Sequence, residues 1–218
     1  DSAVPILNRM CDYAVRVGLI EDTPHRRSLF DDRLMGILTP WPSEINSAFQ
    51  KRWNIRGIKD ATAWYYRFCQ DTNYIRTQDI ARNIEWQHAS PWGELTVTIN
   101  LSKPEKDPRD IARQAVPVPG ARKYPPCMLC VENTGYAGRP DYPARHTLRP
   151  VELELCGEPW YFQYSPYVYY NEHCIVFSQQ HTPLCTDEHT FRRIFAFLDA
   201  FPHYFLGANA GIPIVGGS

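Results

Sequence analysis

The stretch W-Y-F-Q-Y-S-P-Y-V-Y-Y-N-E-H-C-I-V-F-S-Q-Q-H, residues 160–181, decides the fold. It is dense in aromatic and β-branched residues, which favour β-strands. Pro166 interrupts it, because proline has no N–H to donate to a strand ladder. The strands predicted from this pattern cover residues 160–164, 167–170 and 174–178. Tyrosines crowd one end of this sheet beside Asn171 and Glu172. The stretch is therefore either a half-buried sheet with a tyrosine rim or a sheet that presents one hydrogen-bonding end.

The composition is that of an ordinary globular chain. Its 218 residues, 25.3 kDa in mass, are 44% hydrophobic and 22% charged, enough for one or two domains with a real core. The formal net charge is −1 and the pI is about 6.7, so composition gives no basic surface for nucleic acid. No apolar run approaches the roughly 20 residues that span a bilayer. We therefore expect no nucleic-acid partner and no membrane partner.

Seven cysteines are scattered along the chain. Their number is odd, and most of them lie within apolar segments, which argues for reduced thiols rather than a disulfide framework. The start of the chain shows no signal-peptide pattern. Together these observations predict a cytoplasmic location.

Residues 1–72 are predicted to form a helical N-terminal region. Apolar residues recur there at helical spacing in four segments. These segments are residues 6–18, 28–38, 43–52 and 60–69. Pro40 and Pro42 end the second helix, and Ser43 and Asp60 are the expected N-caps of the third and fourth.

Residues 73–218 are predicted to be mainly antiparallel strands. Leu95, Val97 and Ile99 point to one face of a run that alternates over residues 93–101, the pattern of a half-buried strand. Further predicted elements are a strand over residues 151–155, a strand within residues 205–215 and a helix over residues 186–201 capped by Thr186. Helices followed by antiparallel strands indicate an α+β fold.

Cys127 and Cys130 form a C-x-x-C, whose two thiolates can share one tetrahedral metal ion from a tight turn. Alone this pair is half a site. His181, which follows a predicted strand, is the best further ligand. The alternative is two ordinary thiols and an exposed loop histidine.

Two polar positions suit a ligand that carries hydroxyls. Asn171 and Glu172 end a predicted strand and could hold a ribose diol, although asparagine is also common in turns. Asn209, between Gly207 and Gly211, is either a turn residue or a hydrogen-bonding group held against a ligand. His203, near a helix end and among apolar residues, is expected to be structural.

Several arginines lie among glycines and aromatic residues, a setting that suits phosphate binding as well as simple solvation. They are Arg76, Arg82, Arg139, Arg145 and Arg149. The sequence contains no G-x-S-x-G, P-loop, H-E-x-x-H or G-x-G-x-x-G motif. The residues alone therefore predict an aromatic-lined α+β site for metal and anion recognition and do not specify a reaction.

Six segments resemble one known family. They are L-F-D-D-R-L-M-G-I-L-T-P-W-P-S-E (29–44), D-T-N-Y-I-R-T-Q-D-I-A-R-N-I-E-W (71–86), T-I-N-L-S-K-P-E-K-D-P (98–108), C-M-L-C-V-E-N-T-G-Y-A-G-R (127–139), Q-Y-S-P-Y-V-Y-Y-N-E-H-C-I-V-F-S (163–178) and F-P-H-Y-F-L-G-A-N-A-G-I-P-I-V-G-G-S (201–218). Together they resemble the second, Firmicute-type class of galactose-1-phosphate uridylyltransferases, also called UDP-glucose–hexose-1-phosphate uridylyltransferases. The resemblance runs from about residue 10 to the end.

The resemblance implies a fold and an activity. The fold would be histidine-triad-like, an antiparallel sheet with flanking helices, with residues 73–218 forming part of the N-terminal catalytic domain. The activity would be UMP transfer between UDP-glucose and galactose 1-phosphate in the Leloir pathway, by a ping-pong route through a uridylylated histidine. The implied partners are UDP-glucose, UDP-galactose and hexose 1-phosphates.

The resemblance also implies roles for individual residues. Cys127, Cys130 and His181 match positions of zinc ligands, so zinc is the expected cofactor if a metal is bound. The implied substrate-binding positions are Asn171 and Glu172 for uridine and ribose, Asn209 for the phosphates, and Arg76, Arg82, Asn133 and Ser218.

In the family, V-G-G-S runs on into a His-x-His-x-Gln segment that carries the nucleophile, and this sequence stops at Ser218. The expectation is therefore an inactive fragment, truncated at its C-terminus, with no catalytic residue of its own. The alternatives are a nucleotide-binding module without catalysis, and a histidine-triad-type nucleotide hydrolase or phosphorylase. An unpaired strand over residues 205–215 would also favour a homo-oligomer.

Overall fold

Helices come first along the chain and strands follow. The computed structural model describes residues 3–101, 127–138, 143–166, 168, 170–182 and 184–208. The helices of the first part are α1 (Val4–Arg16), α2 (Pro24–Leu38), α3 (Pro42–Arg56), α4 (Ile58–Asp71) and the single turn α5 (Thr77–Ile80). All four helices predicted from the apolar spacing are confirmed.

The helix starts differ from the predictions because of local capping. Helix α2 begins four residues earlier than predicted, since the Thr23 hydroxyl accepts from the backbone N–H of Arg26 at 3.2 Å. Ser43 and Asp60 were the expected N-caps of α3 and α4, and both predictions are wrong. Trp41 is the N-cap of α3, and Gly57, with φ of 89°, is the N-cap of α4.

Strands form two separate antiparallel sheets in the described residues. The first is a hairpin of β1 (Ile84–Ser90) and β2 (Gly93–Ile99), and the second contains β3 (Val151–Leu155), β4 (Glu158–Tyr164) and β5 (Cys174–Ser178) in that order. The register pairs Val151 with Phe162 and Tyr164 with Cys174. Adjacent strands along the chain are thus neighbours in the sheet.

The hairpin confirms the strand predicted over residues 93–101, which ends at Ile99, and adds β1, which the sequence left unassigned. Trp86 lies opposite Val97, and Ile84 lies opposite Ile99, so their side chains share one face. Trp86 and Leu95 are nonetheless about half exposed. The alternation therefore marks an apolar face that the described residues leave largely uncovered.

The strands in the last third of the chain depart from the predictions at one place. The predicted strand over residues 167–170 is wrong at Val168 and Tyr170, because β4 ends before Pro166 and the chain loops back to pair Ser165 N–H with the carbonyl of His173 at 2.9 Å. A strand was also predicted within residues 205–215. Residues 205–208 are not part of one, and the rest of that stretch lies outside the described residues, so the strand stays a prediction.

The last helix, α6 (Glu188–Ala200), confirms the predicted helix but not its cap. Asp187, not Thr186, caps it, since its carboxylate accepts from the backbone N–H of Thr190 at 2.8 Å. Asp187, one residue after the predicted cap, lies close enough to the first turn of the helix to accept from one of its free N–H groups.

Aromatic side chains from α4, β4 and the end of α6 meet at the centre of the core. Tyr65 is fully buried, and its ring centroid lies 5.2 Å from that of Tyr164 and 5.9 Å from that of Phe162. On the other side of Phe162, Phe201 stacks at 5.4 Å and Phe197 at 6.5 Å. Burying several such rings is the largest favourable contribution to folding that these elements can make.

Arg149 fastens the helical region to the sheet. Its guanidinium donates to the backbone carbonyls of Thr39, Pro40, His146 and Leu148 at 2.5–3.3 Å. Its own carbonyl accepts from the Tyr65 hydroxyl at 2.6 Å. Because the end of α2, the centre of α4 and the start of β3 meet at this one residue, Arg149 is a structural arginine rather than a free phosphate ligand.

These elements confirm the α+β class. The histidine-triad-like topology and the division between residues 72 and 73 stay predictions. Among the described helices, none combines the length and the apolar character that crossing a membrane requires.

The glycine at 138 sets a packing limit that can be measured. Its φ is +79°, and a Cβ there would lie 2.5 Å from Leu29 Cδ2 and 2.6 Å from the backbone nitrogen of Ala144. Gly138→Ala should therefore lose about 2–5 kcal/mol of unfolding free energy, from left-handed strain plus overlap. Gly157→Ala is the control, because Gly157 has the same φ with nothing within 4 Å, and should lose about 1–2 kcal/mol. Equal losses in urea unfolding would contradict this packing.

Candidate functional site

Cys127, Cys130 and His181 come together as the sequence predicted. Their ligand atoms all lie within 4.8 Å of one another, and Cys130 Sγ is 3.4 Å from His181 Nδ1. Zn–S bonds of about 2.3 Å and Zn–N bonds of about 2.0 Å span such separations around one tetrahedral ion. A turn holds the two thiols, with the N–H of Cys130 donating to the carbonyl of Cys127 at 3.3 Å. The donor set therefore suits a metal ion with one further position open.

Without a cation, the Cys130 thiol resists ionisation. Burial, followed by the charge of Cys127, raises the pKa of Cys130 above its usual range. A bound divalent cation would reverse this direction, since a coordinated thiol is deprotonated by the ion. Metal binding at this site should therefore release protons.

Asn133, the last residue of C-x-x-C-x-x-N, supports this turn. It is completely buried, and its amide Nδ2 donates to the carbonyl of Cys127 at 2.7 Å. The short 3₁₀ helix Val131–Asn133 brings it back under the turn. Its expected contact with substrate stays a prediction. Its hydrogen bond to Cys127 supports the turn that carries the two thiols.

Asn171 and Glu172 lie in the turn that enters β5. Glu172 has φ of 55°, a left-handed conformation that an ordinary side chain adopts only where its surroundings hold it. Tyr204 provides that hold, because its hydroxyl donates to Glu172 Oε2 at 2.7 Å. Asn171 is exposed, so an amide and a carboxylate stand together at the end of the sheet.

A second tyrosine links this turn to the core. Tyr204 Oη is 2.8 Å from Tyr164 Oη, which lies 3.0 Å from the carbonyl of Thr62 in α4. Burial, with a further contribution from Glu172, raises the pKa of Tyr204, so its hydroxyl keeps the proton that it donates. Sequence reasoning missed Tyr204. Its only signal was a place in the aromatic run F-P-H-Y-F, where the prediction concerned His203.

His203 is structural, as expected. Its Nε2 lies 2.9 Å from the Thr62 hydroxyl of α4. Burial lowers its pKa, which the nearby Glu172 partly opposes. This histidine therefore fastens the end of α6 to α4.

The two candidate sites lie at opposite ends of β5. Glu172 precedes Cys174, the first residue of the strand, and His181 follows Ser178, the last. Five residues of strand span about 13 Å between their end residues. The structure thus does not bring the metal-ligand residues and the predicted ribose-binding residues into one pocket.

The arginines expected to contact substrate are already paired. Arg76 donates to Asp31 Oδ2 at 2.9 Å. Burial raises the pKa of Asp31 against the opposing charge of Arg76. Arg82 is exposed and forms an ion pair with Asp79 three residues earlier. Contact of Arg76 or Arg82 with substrate stays a prediction, while Asn209, Ser218 and Arg139 lie outside the described residues.

Comparison with known proteins decides the family. Residues 2–183 match the family model described as galactose-1-phosphate uridyl transferase, N-terminal domain. This chain belongs to that family. The resemblance of the six sequence segments is thereby confirmed.

Named relatives match along the whole chain. The galactose-1-phosphate uridylyltransferase of Caldanaerobacter subterraneus subsp. tengcongensis is 49% identical over 219 residues, covering 100% of this chain and 42% of that protein. The corresponding proteins are 50% identical in Halalkalibacterium halodurans (98% of this chain, 42% of that protein) and 46% identical in Butyrivibrio fibrisolvens (98% and 54%). The chain thus spans roughly half the length of these relatives, or less. No solved structure gives a significant match.

The contribution of the Tyr204–Glu172 hydrogen bond to stability can be measured by removing the Tyr204 hydroxyl. Tyr204→Phe should lose about 1.5–3 kcal/mol of unfolding free energy, because a hydrogen bond to a carboxylate disappears from a partly buried place. Tyr170→Phe, at a side chain 64% exposed in the same loop, is the control and should change stability by less than about 0.5 kcal/mol. If Tyr204→Phe and Tyr170→Phe have the same free energy of unfolding, the Tyr204–Glu172 hydrogen bond does not stabilise the fold.

Proposed function

We propose that the longer protein containing this chain transfers UMP between UDP-glucose and galactose 1-phosphate. The observation that supports this most strongly is 45–50% identity, over nearly the whole chain, to proteins named galactose-1-phosphate uridylyltransferase. Their names state the reaction of those proteins. The amide and carboxylate at Asn171 and Glu172 are the kind of groups that hold a ribose diol.

In this proposal the reaction proceeds in two displacements. A neutral histidine nitrogen attacks the α-phosphorus of UDP-glucose, the bond from that phosphorus to the bridging oxygen breaks, and glucose 1-phosphate leaves. A phosphate oxygen of galactose 1-phosphate then attacks the same phosphorus, the P–N bond breaks, and UDP-galactose leaves. The attacking histidine is proposed to lie beyond Ser218, in a His-x-His-x-Gln segment.

This chain would contribute positioning and not the nucleophile. Glu172, fixed by Tyr204, would accept hydrogen bonds from the ribose hydroxyls, and Asn171 would contact the uridine. A carboxylate already held in one conformation binds with less loss of side-chain freedom. The chain by itself is therefore proposed to bind UDP-sugars without turning them over. A cytoplasmic location and a homo-oligomer stay predictions.

The test is incubation with UDP-glucose labelled on the α-phosphate, for this chain and for a version extended past Ser218. The expected result is an acid-labile protein adduct on the longer version only, because the nucleophile lies outside this chain. Galactose 1-phosphate should then remove the label as UDP-galactose. The matched control is the extended version with each histidine of the His-x-His-x-Gln segment replaced by alanine in turn.

Other outcomes would refute parts of this proposal. Label on the 218-residue chain itself would place an attacking histidine within it. Label on neither version, with UDP-glucose still bound, would favour a binding module. Release of the label by water or phosphate rather than by galactose 1-phosphate would favour a hydrolase or phosphorylase.

We further propose that Cys127, Cys130 and His181 hold one zinc ion with a structural role. The thiolate and imidazole donors fit zinc, and β5 separates them from Glu172. The ion would fasten the turn at Cys127 to the segment that follows β5. It would supply no group to the proposed chemistry.

Metal content gives a direct test. The purified chain should carry about one zinc per molecule, and Cys130→Ser should lose most of it and unfold at a lower temperature. Cys156→Ser and Cys185→Ser are the controls, since both thiols are exposed and lie outside the cluster. Equal zinc content in all four proteins would exclude this cluster as the metal site.

A further inference from the structure

Arg145 is a buried cation with no counter-charge among the described residues. Only 6% of the residue is exposed, and its Nε is shielded from solvent without a hydrogen-bond acceptor. None of the ion pairs in the described part of the chain includes it. Removing a charged group from water without a partner costs several kcal/mol. An anion from outside the described residues would remove this cost.

The contrast with Arg149 shows that burial alone is not the explanation. Arg149 is also 6% exposed, yet its guanidinium donates to four backbone carbonyls. Arg76 is half-buried and paired with Asp31. Among these three arginines, Arg145 is the one whose Nε is shielded without an acceptor among the described residues, although only 6% of the residue is exposed.

The backbone fixes Arg145 on both sides. Its N–H donates to the carbonyl of Tyr136 at 2.7 Å, and its carbonyl accepts from the N–H of Gly135 at 2.9 Å. The next N–H, of His146, donates to the buried carboxylate of Asp32 at 2.8 Å. These bonds fix the backbone from which the Arg145 side chain extends before any ligand arrives.

A second buried polar group without a partner in the described chain lies beside the segment that is hydrogen-bonded to Arg145. The hydroxyl oxygen of Thr134 is shielded from solvent and has no hydrogen-bond partner in the described chain. Thr134 directly precedes Gly135, which pairs with Arg145. Thr134 and Arg145 thus carry two buried polar groups without partners in the described chain, on backbone segments joined by hydrogen bonds, which indicates a site that a ligand completes.

We propose that Arg145, assisted by the Thr134 hydroxyl, binds a phosphate group. The planar guanidinium presents donors in a fork that matches two phosphate oxygens, and a hydroxyl can donate to a third. The anion site stands on the geometry of these residues. Naming a sugar nucleotide or a hexose 1-phosphate as the source of the phosphate rests on the proposed function.

Thermal unfolding of the full 218-residue chain tests the anion site. Inorganic phosphate should raise the melting temperature of the wild type, because a ligand that binds only the folded state stabilises it. Arg145→Met should raise the phosphate dissociation constant at least tenfold. Without phosphate it should melt no lower than the wild type, since the substitution removes an unpaired buried charge.

Arg149→Gln and Arg145→Lys are the matched variants. Arg149→Gln should melt well below the wild type, because buried carbonyls lose their donors, and should keep the stabilisation by phosphate. Arg145→Lys keeps the charge without the fork and should bind phosphate more weakly than the wild type. The proposal is wrong if phosphate does not stabilise the wild type, or if Arg145→Met melts as low as Arg149→Gln and binds phosphate unchanged.

Substrates separate this inference from the proposed function. A tenfold loss in Arg145→Met for UDP-glucose alone assigns the site to the diphosphate, and a loss for galactose 1-phosphate alone assigns it to the acceptor. If UDP-glucose and galactose 1-phosphate each bind wild type and variant equally, the anion site is wrong and the proposed function stands. If inorganic phosphate binds through Arg145 but the chain binds neither UDP-glucose nor galactose 1-phosphate at all, the anion site stands and the proposal that this chain binds UDP-sugars is wrong.

Discussion

The packing of Tyr65 against β4 is the contact on which the rest of this structure depends. Tyr65 brings a ring from α4 into contact with Phe162 and Tyr164, and its hydroxyl reaches the carbonyl of Arg149. Burial strongly raises the pKa of this hydroxyl, so it remains a donor. One side chain therefore joins the helical region, the sheet and the segment that enters β3.

Polar groups continue outward from this core toward the end of the sheet. Tyr164 has its ring in the core and its hydroxyl 2.8 Å from Tyr204, which in turn holds Glu172. Each phenol has one hydrogen, so while Tyr204 donates to Glu172, Tyr164 must choose between Tyr204 and the carbonyl of Thr62. The left-handed turn at Glu172 is thus supported by the same side chains that fill the interior.

Periodicity and composition were sufficient for the regular elements and for the metal-ligand cluster. The four helices, the strands over residues 93–99, 151–155 and 174–178, and the meeting of His181 with the C-x-x-C were all predicted from local patterns. The failures are non-local. Tyr167–Tyr170 has the composition of a strand, but its described residues lie in a loop because β5 pairs with β4 directly.

Side-chain roles were harder to predict because they depend on distant partners. Arg76 and Arg82 stand in a segment typical of phosphate binding, yet Asp31, in α2, already pairs with Arg76. Tyr204 had no periodic pattern to mark it, because its partners Glu172 and Tyr164 are 32 and 40 residues away. Such pairings follow from the tertiary fold and not from spacing along the chain.

The distance between the two ends of β5 limits what a metal ion could do. Two unit charges about 15 Å apart interact by roughly 0.3 kcal/mol in water and about 1 kcal/mol at an effective dielectric constant of 20. An ion at Cys127, Cys130 and His181 would therefore change the ionisation of Glu172 very little. It could act mechanically instead, because the loop that it fastens continues through Gly135 and Tyr136, whose backbone groups fix Arg145. This cluster can therefore influence a bound phosphate by setting the position of the Arg145 guanidinium. Its electrostatic effect at the far end of β5 is too small to do so.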